Sequence, residues 1–207
     1  MRKGDLVRIS ATAPALPPPD RAASAAGGPR DVVNAGITLE ASILDDEIDI
    51  TARLVTPENP NNIVGGLNAL KVESMDDGGP CSGAYAVTWV RADVEGLGPL
   101  LYDLAIDLVH PSPLTSDRSE VSSAARGVWN YYDTQRPDIE SVQLDDLENT
   151  LTPKESDNCP QWSAAWGSPS AAWSKSPLSR AFRRRQRWAT PTLNALLSLG
   201  AITLTRR

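Results

Sequence analysis

Ala84-Tyr85-Ala86-Val87-Thr88-Trp89-Val90 runs into Arg91-Ala92-Asp93-Val94-Glu95-Gly96-Leu97-Gly98-Pro99, and then into Leu100-Leu101-Tyr102-Asp103-Leu104-Ala105. The first segment has the composition of a β-strand. The last carries Leu101, Leu104, Ala105 and, a turn later, Leu108 at the three-and-four spacing of a single helix face. Two glycines turn the chain between them. Pro99 suits the first helical turn, where its absent N–H is not missed. A strand that enters a helix through glycines leaves the first helical N–H groups pointing into open space, which is a seat for a phosphate or another anion. The segment predicts a strand over 84–90, a helix over 99–109 and an anion site at the turn.

Working outward, Ile37, Leu39, Ala41 and Ile43 alternate with polar neighbours, as do Ile48, Ile50, Ala52 and Leu54. With Asp45-Asp46-Glu47 between them the two runs read as a hairpin. Pro57-Glu58-Asn59-Pro60-Asn61-Asn62 reads as a turn, 70–75 as a short strand, and Asp76-Asp77-Gly78-Gly79-Pro80 as another turn. Downstream, Ser122 caps a helix running to Thr134, with Ala125, Val128, Trp129 and Tyr132 as its apolar stripe. Arg136-Pro137-Asp138 ends that helix and 139–144 follows as a strand. Ser176-Pro177 and Thr190-Pro191 each pair a capping residue with proline, predicting helices over 177–188 and 191–199. Gly200 stops the second, and 201–205 closes the chain as a strand. Strands first, then helices interleaved with strands, describe an α/β or α+β layered domain.

The 207 residues, 41% hydrophobic and 22% charged, fit one domain with some irregular length to spare. Residues 11–30 are rich in Ala and Pro and have neither period, so 1–31 is an N-terminal segment with a linker. The core is expected over 32–157. Residues 158–207 form a basic C-terminal segment whose stretch 158–176, with Trp162, Trp166 and Trp173, shows no regular pattern. No apolar run reaches the roughly 18–20 residues that cross a bilayer, so no membrane partner is expected. The basic start lacks the apolar stretch of a signal peptide, and the expectation is a cytoplasmic protein. Cys81 and Cys159 are the only cysteines and His110 the only histidine, too few soft ligands for a structural metal, and none is expected. His110 reads as a helix-terminal residue near the C-terminal dipole.

A net charge of −6 conceals a division: 158–207 contains eight basic residues and no Asp or Glu. Its densest run is Arg180, Arg183, Arg184, Arg185 and Arg187, placed by the expected helix on an outer face. Such a run suits nucleic-acid phosphates or an acidic protein partner. It suits equally well neutralisation by the chain's own carboxylates.

At the strand–glycine–helix segment the chain resembles the GNAT superfamily of N-acetyltransferases, which places a Gln/Arg-x-x-Gly-x-Gly/Ala loop between its fourth strand and the next helix. The matching loop is Asp93-Val94-Glu95-Gly96-Leu97-Gly98. Ala125-Arg126-Gly127-Val128-Trp129-Asn130-Tyr131-Tyr132 is similar to a later helix of that family. Gly-Pro-Leu-Leu-Tyr-Asp at 98–103, Leu-Thr-Ser-Asp-Arg at 114–118, Val-Trp-Asn-Tyr-Tyr at 128–132 and Ser-Pro-Leu-Ser-Arg at 176–180 resemble GNAT-like proteins of bacteriophages.

The resemblance implies a single GNAT-like domain, a mixed central sheet flanked by helices, binding acetyl-coenzyme A and moving its acetyl group to an amine. Main-chain N–H of Leu97, Gly98 and Leu100 at the Gly96 turn would hold the pyrophosphate. Val90 and Arg91 would meet the pantetheine arm, and Tyr132 would protonate the leaving thiolate. A carboxylate among Glu40, Glu47, Asp49 and Glu73, or a water it holds, would take the amine's proton. The strands at 84–90 and 139–144 would splay to admit the arm. It also implies a host-cytoplasmic or virion location. The chain departs from the pattern at the Gln/Arg position, where Asp93 stands, and Glu95 adds a second carboxylate that repels a diphosphate. Arg91, two positions earlier, is the available counter-charge. The alternative from a different class is an inactive GNAT-fold scaffold that binds a protein partner, a virion component or nucleic acid through the arginine run.

Overall fold

The computed structural model describes residues 28–71, 84–116, 121–143, 180–186 and 189–206. Its elements are α1 (Pro29–Asn34), β1 (Ile37–Ile43), β2 (Glu47–Leu54), β3 (Asn62–Lys71), β4 (Tyr85–Ala92), α2 (Leu97–Val109), β5 (Leu114–Ser116), α3 (Ser123–Gln135), β6 (Ile139–Gln143), β7 (Arg180–Arg184), α4 (Pro191–Ser198) and β8 (Ile202–Arg206). The strands form one eight-stranded sheet in the order β6-β7-β5-β4-β3-β2-β1-β8. β1 runs antiparallel to β2 and parallel to β8, β4 parallel to β5, and β7 antiparallel to β5 and β6. The protein is therefore mixed α/β, as the element order predicts. No helix among the described residues is long and apolar enough to cross a membrane.

The chain divides into two compact units, one of Met1–Asn68, Trp89–Leu108 and Thr190–Arg207, the other of Ala69–Thr88 and Val109–Ala189. In the first, the alternation in β1 and β2 buries Ile37, Leu39, Ala41, Ile48, Ile50 and Ala52, while Glu40, Asp49 and their neighbours face outward. Each large side chain so buried contributes roughly 1.5–3 kcal/mol. α2 is buried nearly all round, with Leu97, Leu101, Leu104, Ala105 and Ile106 fully enclosed. Near its end Asp107, itself buried, accepts a 2.9 Å hydrogen bond from the Leu193 amide in the first turn of α4. Thr190, the expected cap of α4, makes no side-chain cap bond. A carboxylate from a neighbouring helix does that work, and its charge also suits the positive end of the helix dipole.

β3 departs from the expected pattern, which placed a turn at its start and a strand only from 70 onward. Val64, Leu67 and Ala69 are all buried, an interval of three followed by one of two. That break in alternation marks an irregularity at Gly65-Gly66 of the kind a β-bulge produces. A β-carbon on Gly65 would sit 2.6 Å from the Arg91 carbonyl oxygen and 2.8 Å from a Leu97 methyl; one on Gly66 would sit 2.5 Å from the Ile50 carbonyl oxygen. The glycines let three strands and the start of α2 approach more closely than any side chain allows.

In the second unit Ser122 caps α3 as expected, accepting from the Ala125 amide at 3.2 Å. Trp129 of α3 stacks on Phe182 of β7, ring centroids 5.5 Å apart, and Tyr132 meets both rings at 6.0 Å. The expected helix over 177–188 is corrected: Arg180–Arg184 is a strand between β5 and β6. The Ser-Pro signal promised a helix start, but Ala181 and Phe182 are fully buried as strand rungs. α1 begins at Pro29, inside the stretch expected to be linker, and β5 is an element that local sequence did not announce. The rest of the linker, the Trp-containing stretch and the turn at 76–80 lie outside the described residues.

Gly65→Ala is expected to destabilise the protein by about 1–3 kcal/mol, because the added carbon meets backbone that cannot yield. Gly127→Ala, in α3 with no atom within 4 Å of the added carbon, should instead stabilise it by about 0.5–1 kcal/mol. Urea unfolding of both variants checks the opposite signs.

Candidate functional site

The turn from β4 into α2 is built in the first unit. Gly96 has φ +79°, a left-handed conformation that suits glycine. The Leu97 amide is engaged with the Val94 carbonyl at 3.2 Å. In a helix beginning at Leu97, the carbonyl before it receives the amide of Leu100. Pro99 has no N–H, so Gly98 is the residue whose amide the turn presents. Gly98 is half-buried, whereas the Leu97 and Leu100 side chains point into the core.

The Asp93 amide donates to the Val64 carbonyl at 2.8 Å, and the Arg91 carbonyl lies against Gly65. Main-chain groups alternate along a strand, so Arg91 and Asp93 address β3 while Val90 and Ala92 direct theirs away from it. Of the two residues expected to meet the pantetheine arm through main-chain groups, Val90 is the one turned outward. Farther back, the Tyr85 amide donates to Pro113 on the β5 side at 2.8 Å. Tyr85 and Asp93 are an even number of residues apart yet address different neighbours, so β4 changes parity between them. The β4–β5 ladder ends at Val87–Ser116, five residues before β4 itself ends.

Electrostatically the loop differs from what its carboxylates suggest. Arg91 forks onto Asp93, its Nε donating to Oδ1 at 2.9 Å and its terminal nitrogen to Oδ2. This hydrogen bonding holds the Asp93 carboxyl below its ordinary range and raises Arg91 above its own. Asp93 is matched before any anion arrives; Glu95 stays exposed.

The carboxylates expected to act as bases on the strands are engaged in part. Glu40 pairs with Arg53 at 3.3 Å, Glu47 accepts from Asn68 at 2.5 Å, and Asp49 accepts from Thr51 at 3.5 Å. Glu73 lies outside the described residues. Burial pushes the Tyr102 phenol up to about 12. Tyr132 belongs to the second unit, 3% exposed within the aromatic cluster, with the Arg136 guanidinium 5.5 Å from its ring centroid. That position gives it a packing duty. The strands at 84–90 and 139–144, expected to splay apart, are not neighbours: β5 and β7 lie between them in the sheet order.

The arginine run is placed differently from its expectation as well. Arg183 bonds Glu140 at 2.5 Å, Arg184 bonds Asp138 at 2.5 Å, and Arg180 meets Asp133 at 3.4 Å and Ser141 at 3.2 Å. Arg185 donates to the Pro137 carbonyl at 3.1 Å. Arg187 lies outside the described residues. The cations thus meet acids of β6, of the turn before it and of α3, which sequence spacing of 43 or more residues does not reveal. The chain matches no protein-family model, no curated protein and no solved structure.

Asp138 lies between Arg136, at 2.8 Å, and the buried Arg184. Burial pushes its carboxyl up, but the Arg136 hydrogen bond and the charges of both arginines outweigh this and hold it below its ordinary value of 3.8. A carboxyl lowered by folding adds stability that is full above its unfolded pKa and is lost as pH falls through the folded one. Stability should therefore drop as pH is taken below 3.8, and Asp138→Asn should flatten that limb. Near neutrality the same variant should cost about 2 kcal/mol, less than a fully buried pair because Asp138 is half-exposed. Thermal melts across pH 2–7, an interval of about five units around the ordinary carboxyl pKa, test both.

Proposed function

We propose that the turn after β4 seats the diphosphate of acetyl-coenzyme A, and that the protein is a phage-type, acetyltransferase-like protein transferring an acetyl group to an amine. The reading is supported by one observation above others: a strand enters a helix through a left-handed glycine at Gly96, and beside it the Arg91 fork has taken up the charge of Asp93. With that carboxylate matched, the positive end of α2 and the Gly98 amide face an anion without the repulsion the bare sequence implies. Outward-facing main-chain groups of Val90 then suit an amide-bearing arm lying along β4. Glu40, Glu47 and Asp49 are the strand carboxylates available to a proton from the amine. In this reading Tyr132 serves the core rather than the thiolate. The matched arginines of β7 weaken the scaffold alternative in its nucleic-acid form.

Isothermal titration of the full chain with acetyl-coenzyme A should give one saturable site, weakened by added salt. Gly98→Pro removes the presented amide at a position where proline is tolerated in a helix, and should cut affinity about tenfold, the worth of one hydrogen bond to a charged group. A melting curve on the variant verifies its fold. Absence of heat with the unaltered protein at millimolar coenzyme overturns the proposal.

A further inference from the structure

The second unit holds two polar groups that neither its packing nor the coenzyme reading uses. Ser116, the last residue of β5, is 3% exposed, and its hydroxyl has no hydrogen-bond partner. Arg180, the first residue of β7, has a buried Nε that is likewise unpartnered. An unmatched buried donor costs free energy, so such a group in a native fold calls for an explanation, and a bound ion is one.

The sheet brings the two residues together. Leu114 pairs with Phe182 across antiparallel β5 and β7, and the Thr115 hydroxyl donates to the Arg180 carbonyl at 3.1 Å. Ser116 therefore stands opposite Arg180. Opposed residues of an antiparallel pair share a face, with β-carbons roughly 5 Å apart. That face lies under α3, because Phe182 stacks on Trp129 and Arg180 reaches Asp133.

Arg180 also differs from its neighbours in how its charge is met. Arg183 and Arg184 touch their carboxylates at 2.5 Å, whereas Asp133 stands 3.4 Å from Arg180. The guanidinium contacts of Arg180, to Asp133 and to Ser141, both use Nη1. They leave the edge containing Nε, where a carboxylate can accept two parallel N–H bonds. The side chain keeps 33% exposure, so solvent reaches the group from that side.

We propose that Arg180 and Ser116 form a subsite for the carboxylate of a small ligand, with Nε and the Ser116 hydroxyl both donating to it. The ligand's charge supplies at contact range what Asp133 supplies from farther off. The enclosure of Ser116 restricts the occupant to a small molecule, since a protein surface cannot follow a group so deeply buried. No atom of the glycine turn takes part, so the proposal stands or falls apart from the coenzyme reading.

The test is titration of the full chain with sodium formate, sodium chloride holding the ionic strength constant, followed through the arginine Nε–H signals of a proton–nitrogen correlation spectrum. One signal, assigned by its loss in Arg180→Lys, is expected to shift saturably. Ser116→Ala should weaken that binding about tenfold, the worth of one hydrogen bond to a charged group. Without formate the same variant should melt no lower than the unaltered protein, because it sheds an unpaired buried hydroxyl. Should Arg180→Lys not fold, the response to Ser116→Ala identifies the signal. Inorganic phosphate, which is tetrahedral, should bind more weakly than formate. A shift that does not saturate, equal affinity in Ser116→Ala, a lower melting point for that variant, or a preference for phosphate would each overturn the proposal.

Discussion

The first unit depends on a close approach between backbones: the Arg91 carbonyl oxygen sits 2.6 Å from the position a β-carbon on Gly65 would take. From this follow the nearness of β3 to β4, the seating of Leu97 against the sheet, and the angle at which α2 leaves its turn. A side chain at 65 would push β4 outward just where Asp93 bonds Val64, and with it the loop that carries the presented amide of Gly98. The glycine turn at 96 shapes the site, but the glycine pair thirty residues earlier decides where it stands. Core packing of α2 then holds the arrangement, since a helix buried on nearly every side cannot slide without exposing leucines.

The second unit rests on charge as much as on packing. β7 brings Arg180, Arg183 and Arg184 into a sheet whose neighbouring strand and turn carry Glu140 and Asp138. Arg184 is enclosed, and a buried cation is tolerable only with its counter-charge and hydrogen bonds in place. Removing the acid costs more than the pair contributes, so the pairing acts as a register lock: a slip of β7 by one residue along β6 would strand the guanidinium against apolar neighbours. The same strand supplies Phe182 to the rings of Trp129 and Tyr132, which joins helix α3 to the sheet.

Much of the fold was legible because most of its elements obey one clean period. β1, β2 and both long helices carry their alternation or their three-and-four stripe within a dozen residues, and Ser122 is a cap that local chemistry alone identifies. β3 was not legible from its start, because Gly65-Gly66 reads locally as a breaker and only the neighbouring backbones make it a strand. β7 was misread for a related reason. Five arginines with two apolar residues among them fit a helix face as well as a strand, and the carboxylates that decide the matter lie 43 or more residues away. At the site, the glycine turn was legible, but the Arg91–Asp93 fork needed coordinates, as did the parity that turns Val90 outward and Arg91 inward.

That fork changes how the acidic loop should be understood. A loop built to receive a diphosphate gains from a cation at its rim, and Asp93 stands where the resembled family keeps Gln or Arg. Had Arg91 been free to reach an anion, Asp93 would have competed for it at shorter range and on the same strand. Because both oxygens of Asp93 are engaged by one guanidinium, the pair presents nearly no net charge. Attraction for an anion is then left to the helix start, a partial charge of about half an electron spread over a few N–H groups. On the coenzyme proposal such a seat would bind through geometry more than through charge. On that proposal it would favour a ligand with further contacts along the strand over a bare phosphate, the first of them at Val90.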